Sequence, residues 1–260
     1  MVAKINIAVL VSGSGTNLQA LIDAARDPAY PARITLVISN KPQAGGLIRA
    51  NDAGIPTEIV LPSDFKTAEP GAYEHAIHNL LREHEIDLVC LAGFMKILGP
   101  ELISRWEGRI LNIHPSLLPK FGGPGMYGDK VHRAVIRRAA KESGASVHIV
   151  TEECDEGPVI AQKAIPVYDF DTADSLAERV LAVEHQIYPQ AVREKALLIL
   201  EQKGAAEVNL LMGGSNSSNN EISSDSLKSA QDMWGNFVSF GKLSVVAVCI
   251  TLVLMAIFLL

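Results

Sequence analysis

Cysteine is scarce in this chain of 260 residues, which contains only 3, none of them in a Cys-x-x-Cys pair. Cys90, Cys154 and Cys249 are an odd number of widely separated thiols. This pattern excludes a fully paired disulfide framework and does not match the ligand spacing of a zinc site. We therefore expect no metal in this protein, and a reducing compartment, the cytoplasm, as its location.

Positive charge is also in short supply. Lys and Arg total 23 against 29 Asp and Glu, which gives a net charge of −6 and a pI near 5.7. Because nucleic-acid binding needs clustered basic side chains, this balance predicts no nucleic-acid partner. The first residues, Met1-Val2-Ala3-Lys4, lack the charged start and apolar stretch of a signal peptide, so we expect none.

Charge is absent altogether from residues 243–260. As a helix this segment would span about 27 Å, close to the ~30 Å hydrocarbon core of a bilayer. Trp234, Phe237 and Phe240 precede it, followed by Lys242, as is typical of a membrane interface. A buried core helix is the alternative, but such a helix usually keeps one polar face.

Composition thus divides the chain into three parts. Residues 1–202 have the balance of a folded domain, and residues 203–241 include a Ser-, Asn- and Gly-rich stretch that indicates a flexible linker. Residues 242–260 form the predicted transmembrane segment, which makes a membrane a predicted partner.

Short apolar runs alternate with segments of helical period in the first part of the chain. The strand-like runs are residues 5–11, 34–38, 88–91, 110–113, 146–150 and 159–165, and the helical segments include 18–25, 73–82, 130–141 and 173–184. Buried strands separated by helices are typical of a parallel sheet covered on both faces. We predict an α/β, Rossmann-like fold with a mostly parallel sheet, which binds ligands at the carboxyl ends of its strands.

The first predicted strand is followed by the loop Ser12-Gly13-Ser14-Gly15-Thr16-Asn17, which leads into a helix. Glycines let an anion approach the backbone, and the helix N-terminus supplies free N–H groups. The loop lacks the third glycine and later acidic residue of a dinucleotide site, and the lysine of a P-loop. It predicts a phosphate monoester site with hydroxyl donors from Ser12, Ser14 and Thr16. A glycine-rich turn with an Asn17 or Thr16 helix cap is the alternative.

Two polar residues, Asn112 and His114, end the strand predicted at residues 110–113. They are two positions apart, so both side chains leave the strand on one face. Asp155 follows the apolar run at 146–150, and we expect all three residues at the carboxyl edge of the sheet. For Asn112 and His114 alone, an ordinary polar turn is the alternative.

Together these three side chains would form a site for acyl transfer. A carboxylate raises the pKa of a neighbouring imidazole, so we expect Asp155 to keep His114 charged. His114 and the Asn112 amide would then donate hydrogen bonds to a developing oxyanion. No nucleophile is evident, since Cys154 and Asp155 are adjacent and tend to point apart. The inventory favours direct transfer of an acyl group to an external amine.

Over residues 1 to about 200 the chain resembles the phosphoribosylglycinamide formyltransferases, the folate-dependent enzymes of purine synthesis. Four blocks carry the resemblance: SGSGTN, LAGFMKIL, NIHPSLLP and DEGP, which begin at Ser12, Leu91, Asn112 and Asp155. The resemblance implies a formyltransferase fold, and formyl transfer from 10-formyltetrahydrofolate, the co-substrate, to the amine of glycinamide ribonucleotide. It also implies that Asn112, His114 and Asp155 are the catalytic residues.

Two binding regions follow from the same resemblance. It implies that glycinamide ribonucleotide contacts Ser14, Gly15, Thr16, Asn17 and Glu184. It implies that the folate contacts Met95, Lys96, Ile97, Leu98, Thr151, Glu152, Glu153 and Cys154. The loop at residues 121–129 is longer and richer in glycine than in many members, and could act as a lid.

Some alternatives stay open. Methionyl-tRNA formyltransferases and formyltetrahydrofolate hydrolases share the three catalytic residues but carry additional domains that this sequence does not predict. The hydrolase is the alternative enzyme, and a membrane-tethered phospho-ligand binding module is the alternative outside enzymes. His132 could border the pocket, whereas a structural role is favoured for His148. The sequence does not indicate an oligomeric state.

Overall fold

A computed structural model describes residues 3–213. The strands are β1 (Ile5–Val11), β2 (Ala32–Ser39), β3 (Thr57–Ile59), β4 (Leu88–Leu91), β5 (Ile110–His114), β6 (Glu142–Ile149) and β7 (Val159–Pro166). The helices are α1 (Thr16–Ala25), α2 (Gly45–Asp52), α3 (Ala72–Glu83), α4 (Pro100–Arg105), α5 (Asp129–Arg137) and α6 (Ala173–Gly213). A short 3-10 helix covers Pro62–Phe65.

The strands form one sheet in the order β3-β2-β1-β4-β5-β6-β7. The first five of these are parallel, whereas β6 runs antiparallel to both β5 and β7. The prediction of an α/β fold with a mostly parallel sheet is therefore confirmed. The two antiparallel pairings at one edge change how the site is assembled, as described below.

Both faces of the sheet are buried, and β1 shows how. Its side chains alternate between two cores: Ile5, Ile7 and Val9 pack on one face, and Ala8 and Leu10 on the other. The first core also contains apolar residues of α1, α2, α5 and α6, and the second contains those of α3 and α4. Helices therefore cover both faces and leave the ends of the strands open.

Two element boundaries differ from the sequence prediction. The helix predicted at 130–141 ends at Arg137, because Ala139 adopts a φ of 47° and the chain enters β6 at Glu142. The helix predicted at 173–184 is only the beginning of α6, which extends to Gly213.

The predicted linker and membrane segment fall mostly beyond these elements. The compact α/β unit ends at Ala205, while α6 continues past the point where composition placed the start of the linker. Within residues 3–213, no helix is both apolar and long enough to cross a bilayer. The rest of the linker and the transmembrane segment predicted at 242–260 lie outside the described residues.

Candidate active site

The loops at the carboxyl ends of β1, β4 and β5 open onto one cavity of about 620 Å³. All the residues expected to be catalytic or to bind the nucleotide line it, and so do those expected to bind the folate, except Glu153. Glu153 lies in a turn beside the cavity, where its carbonyl accepts a hydrogen bond from the Thr151 hydroxyl at 3.2 Å.

The glycine loop is shaped by a close backbone approach at Gly15. This residue has a φ of 73°, and a Cβ placed on it would lie 2.4 Å from Gly46 Cα, so only glycine fits. Gly15 also forms the N-cap of α1, with no side-chain hydrogen bond to the cap. The alternative of an Asn17 or Thr16 helix cap is therefore wrong, and the first N–H groups of α1 stay available for a ligand.

Ser12 does not serve the cavity as expected. It is buried, donates to Asn40 Oδ1 at 2.7 Å, and accepts a hydrogen bond from the Met95 N–H at 2.8 Å. Its hydroxyl is thus used within the protein, where it ties the glycine loop to the segment of residues 95–98. Ser14 and Thr16 remain as the hydroxyls of the loop that line the cavity.

A buried polar pair closes the end of the cavity next to the glycine loop. Asn17 Nδ2 donates to Glu184 Oε2 at 2.6 Å, which joins α1 to α6. Burial raises the pKa of Glu184 to about 7, although the hydrogen bond from Asn17 opposes the shift. Among the described residues, Asn17 Oδ1 is buried with no hydrogen-bond partner. A ligand hydroxyl is the kind of donor that this oxygen lacks.

Asn112 and His148 face each other across the antiparallel pair of β5 and β6. His148 Nδ1 lies 3.1 Å from the Ile149 carbonyl, which can only accept, so this nitrogen carries a proton. In the neutral ring, Nε2 then accepts a hydrogen bond from Asn112 Nδ2 at 3.0 Å. His148 therefore fixes the orientation of the Asn112 amide.

His114 and Asp155 form the second polar pair of the site. His114 Nδ1 lies 3.5 Å from Asp155 Oδ2, and His148 Nε2 lies 3.6 Å from Asp155 Oδ1. The opposite ring nitrogen, His114 Nε2, donates to the Phe121 carbonyl at 2.9 Å. The Gly123 N–H donates to Asp155 Oδ2 at 3.0 Å. The beginning of the predicted lid loop thus holds both members of the pair through its backbone.

The charge expected on His114 is not supported, because burial dominates. Burial lowers the pKa of His114, and this effect outweighs Asp155 and the Phe121 carbonyl, which raise it. Burial also disfavours ionised Asp155, but its polar neighbours, among them the Gly123 N–H, hold the pKa of that carboxyl below its usual range. Both directions favour a neutral imidazole beside a carboxylate at neutral pH.

Asp155 reaches the site by an unexpected path. Because β6 is antiparallel to β5, Ser146 pairs with His114 and Ile149 with Leu111. The last residue of β6 therefore lies beside the beginning of β5, away from the carboxyl ends of the parallel strands. Residues 150–158 then fold back toward His148, and Asp155 adopts a φ of 61° within this loop. The predicted proximity to His114 is confirmed, but the expected position at a carboxyl strand end is wrong.

The folate segment presents apolar side chains to the cavity. Met95 and Ile97 line it and are 48% and 65% exposed, so they offer apolar surface to a ligand in the cavity. Lys96 lies 3.9 Å from a carboxylate oxygen of Glu74 and stands over the Tyr73 ring. The Lys96 ammonium therefore already has partners in the protein.

Sequence reasoning missed several groups of this site. The partnership of His148 with Asn112 depends on an antiparallel pairing that the apolar runs did not reveal. The Phe121 carbonyl and the Gly123 N–H are backbone groups, for which no residue type is diagnostic. The glycine-rich composition of the loop was the available signal, and five of its residues after Gly123 do line the cavity: Pro124, Gly125, Tyr127, Gly128 and Asp129.

Comparison with known proteins agrees with this arrangement. Residues 5–192 match the family model described as formyl transferase. The chain is 45% identical to phosphoribosylglycinamide formyltransferase of Escherichia coli, over 72% of this chain and 85% of that protein. The crystal structure of the enzyme of the same name from Brucella melitensis superposes with a TM-score of 0.68 at 46% identity, covering 74% of this chain and 96% of that one.

Longer relatives contain the same region. The chain is 45% identical to the trifunctional purine biosynthetic protein adenosine-3 of Bos taurus, over 73% of this chain. It spans only 18% of the length of that relative. The family match covers most of the α/β unit, and the cavity described above lies within it. The chain therefore belongs to the formyl transferase family.

Proposed function

We propose that this chain transfers the formyl group of 10-formyltetrahydrofolate to the amine of glycinamide ribonucleotide, a step of de novo purine biosynthesis. One observation carries the proposal: a single cavity joins the glycine loop and Glu184 to the polar cluster of Asn112, His114 and Asp155. Proteins named for this activity match most of their length to the chain.

The nucleotide occupies the end of the cavity at α1. Its phosphate accepts hydrogen bonds from the first N–H groups of this helix and from the hydroxyls of Ser14 and Thr16. The Asn17–Glu184 pair takes the ribose hydroxyls, since it offers acceptor oxygens that lie in the cavity wall. This placement directs the amine of the substrate toward β5.

The folate occupies the opposite part of the cavity. Met95, Ile97 and Leu98 supply apolar contacts, and the loop that follows β6 supplies polar ones. Thr151, Glu152 and Cys154 belong to this second wall, whereas Glu153 does not. Holding both substrates in one cavity makes the reaction effectively unimolecular, which supplies much of the acceleration.

The chemical step begins when the neutral amine attacks the formyl carbon. A carbon–nitrogen bond forms, and the electron pair of the carbonyl moves to its oxygen, which accepts the second N–H of the Asn112 amide. The amine proton passes to the pair of His114 and Asp155, which is suited to accept it because the imidazole is neutral and the acid ionised. The intermediate then collapses, the bond from the formyl carbon to folate N10 breaks, and N10 takes up the proton.

We also propose that the C-terminal part tethers this domain to a membrane. The support is compositional: an uncharged segment at 243–260 that follows a polar linker, interfacial aromatic residues and Lys242. The test is to fractionate cells that produce the full chain and a chain truncated after Gly213, and to wash the membranes with alkaline carbonate. The anchor predicts that only the full chain stays with the washed membranes, and its recovery in the soluble fraction would contradict it.

Incubation with 10-formyltetrahydrofolate, with and without glycinamide ribonucleotide, tests the proposed activity. A transferase consumes the folate only when the amine is present. Consumption without the amine would identify a formyltetrahydrofolate hydrolase, and binding without turnover would identify a binding module. The His114→Ala variant serves as the control for a contaminating activity.

A further inference from the structure

His132 lies in the wall of the cavity but has no part in the steps above. It belongs to the N-terminal half of α5 and lines the same cavity as Asn112, His114 and Asp155. The residue is 5% exposed, so most of its ring is packed against protein. A polar side chain this deeply buried needs a hydrogen-bond partner, within the protein or on a ligand.

The two ring nitrogens of His132 differ in their surroundings. Nδ1 is fully enclosed and has no hydrogen-bond partner among residues 3–213. Nε2 is not among these enclosed atoms, and since the residue lines the cavity, we take Nε2 as the nitrogen that faces it. A buried N–H without an acceptor is rarer and less tolerated than a bare acceptor atom, so the proton of the neutral ring belongs on Nε2.

The surroundings of His132 favour its neutral form. Burial lowers its pKa, and this effect outweighs the nearby Asp129 carboxylate, while His114 acts in the same direction as burial. A second proton would have to enter the enclosed position at Nδ1, where it would find no acceptor. The ring therefore presents one fixed N–H donor, on Nε2, to the cavity.

Some hydrogen-bond donors of the expected site already donate to other groups of the protein. His114 uses its Nε2–H on the Phe121 carbonyl, and Asn112 uses one amide N–H on His148. The formyl oxygen gains a full negative charge in the tetrahedral intermediate and is best stabilised by more than one donor. Nε2 of His132 is a donor in the same cavity wall with no partner among the described residues.

We infer that His132 is a further catalytic residue, whose Nε2–H donates a hydrogen bond to the formyl oxygen as that oxygen gains charge. The inference rests on the proposed formyl transfer and adds a second donor for the oxyanion, beside Asn112. Because the hydrogen bond strengthens only as charge develops, its loss lowers kcat and leaves the KM of both substrates nearly unchanged.

Three substitutions in the full chain test this role. His132→Gln places an amide nitrogen close to the position of Nε2, His132→Asn places it near Nδ1, and His132→Leu removes the donor. We expect kcat to fall about 100-fold in the Leu and Asn variants, as for the loss of an oxyanion donor. We expect His132→Gln to recover at least tenfold of that loss, with KM within about twofold of the parent throughout.

Several results would overturn the inference. One is a Leu variant with the kcat of the parent. Another is a rise in KM for either substrate at unchanged kcat, and a third is an equal loss of kcat in the Gln and Leu variants. Thermal unfolding of the variants identifies a loss of activity that comes only from misfolding, since His132→Gln would then lose stability and activity together.

The parent protein separates this inference from the proposed function. If the parent transfers no formyl group, both the proposed function and this inference fail. If the parent and His132→Leu are equally active, only this inference fails.

Discussion

His114 Nδ1 lies 3.5 Å from Asp155 Oδ2, while the opposite nitrogen of the same ring donates to the Phe121 carbonyl. Since the proton of the neutral ring is held at Nε2, the bare Nδ1 faces the carboxylate. Nδ1 then has no proton to donate, and the negative charge beside it favours the uptake of one. This geometry suits the uptake of a proton from an attacking amine.

The first prediction concerns Asp155. Replacing it with Asn removes the negative charge beside His114 Nδ1 and should lower kcat by about 100-fold or more, as is usual for loss of general acid–base catalysis. KM for both substrates should change little, because the cavity keeps its shape. Steady-state kinetics measure this, with Asp169→Asn as the control, since the Asp169 side chain is 98% exposed and outside the cavity. An Asp155→Asn variant with near-normal turnover would refute the role.

The second prediction concerns the pH dependence of turnover. Proton uptake requires neutral His114, and burial lowers the pKa of this residue from the usual 6.5. The midpoint of the acid decline in kcat, measured with saturating substrates, should therefore lie below pH 6.5. If His114 instead acted as a charged donor, kcat would decline as the pH rises. A profile of that shape would contradict the proton-acceptor role.

The third prediction concerns the glycine loop. Gly15→Ala would bring a Cβ within 2.4 Å of Gly46 Cα at a positive φ, so the loop has to move away from the phosphate position. KM for glycinamide ribonucleotide should rise about tenfold or more, the effect of losing one hydrogen bond to a charged group. The control is Gly54→Ala, which has a similar φ of 69° and open space around the new Cβ. Equal KM values in the two variants would argue against a phosphate at this loop.

The fourth prediction concerns stability and Glu184. Its pKa is raised from 4.5 to about 7 in the folded state, so folding binds a proton between these values. The stabilisation is fully present below pH 4.5 and is lost as the pH rises through 7. The full shift corresponds to about 3 kcal/mol, as an order of magnitude.

Urea unfolding at pH 5 and pH 8 measures this effect. The parent should lose more stability than Glu184→Gln over this interval, because the amide is neutral throughout and can still accept the hydrogen bond from Asn17. Identical pH dependence in the two proteins would show that Glu184 is not the buried acid described here. The Glu178→Gln variant, on the same helix and with an exposed side chain, provides the comparison.

Much of the fold was accessible from the sequence because it depends on periodicity. Continuous apolar runs such as 5–11 and 88–91 indicate strands buried on both faces, and they do form β1 and β4. The direction of β6 was not accessible, since an apolar strand reads the same in parallel and antiparallel pairs. The path of Asp155 into the site follows from that direction and was therefore missed.

The candidate site was predictable as a set of residues, but its protonation was not. Asn112 and His114 share a strand face by simple alternation, so their convergence needs no tertiary information. The pKa of His114 depends on how completely the surrounding loops bury it, and the residues next to His114 in the sequence do not indicate the extent of that burial. The expected charge on His114 considered only Asp155, whereas burial acts in the opposite direction and outweighs it.

The most direct test of the account follows the formyl carbon itself. The chain would be incubated with 10-formyltetrahydrofolate carrying ¹³C in the formyl group, together with glycinamide ribonucleotide, and the products separated by mass. Direct formyl transfer predicts that the label appears on the amine of the nucleotide, in step with the release of tetrahydrofolate, and that the Asp155→Asn variant forms this product far more slowly. Label recovered as free formate, or no loss of label from the folate, would contradict it.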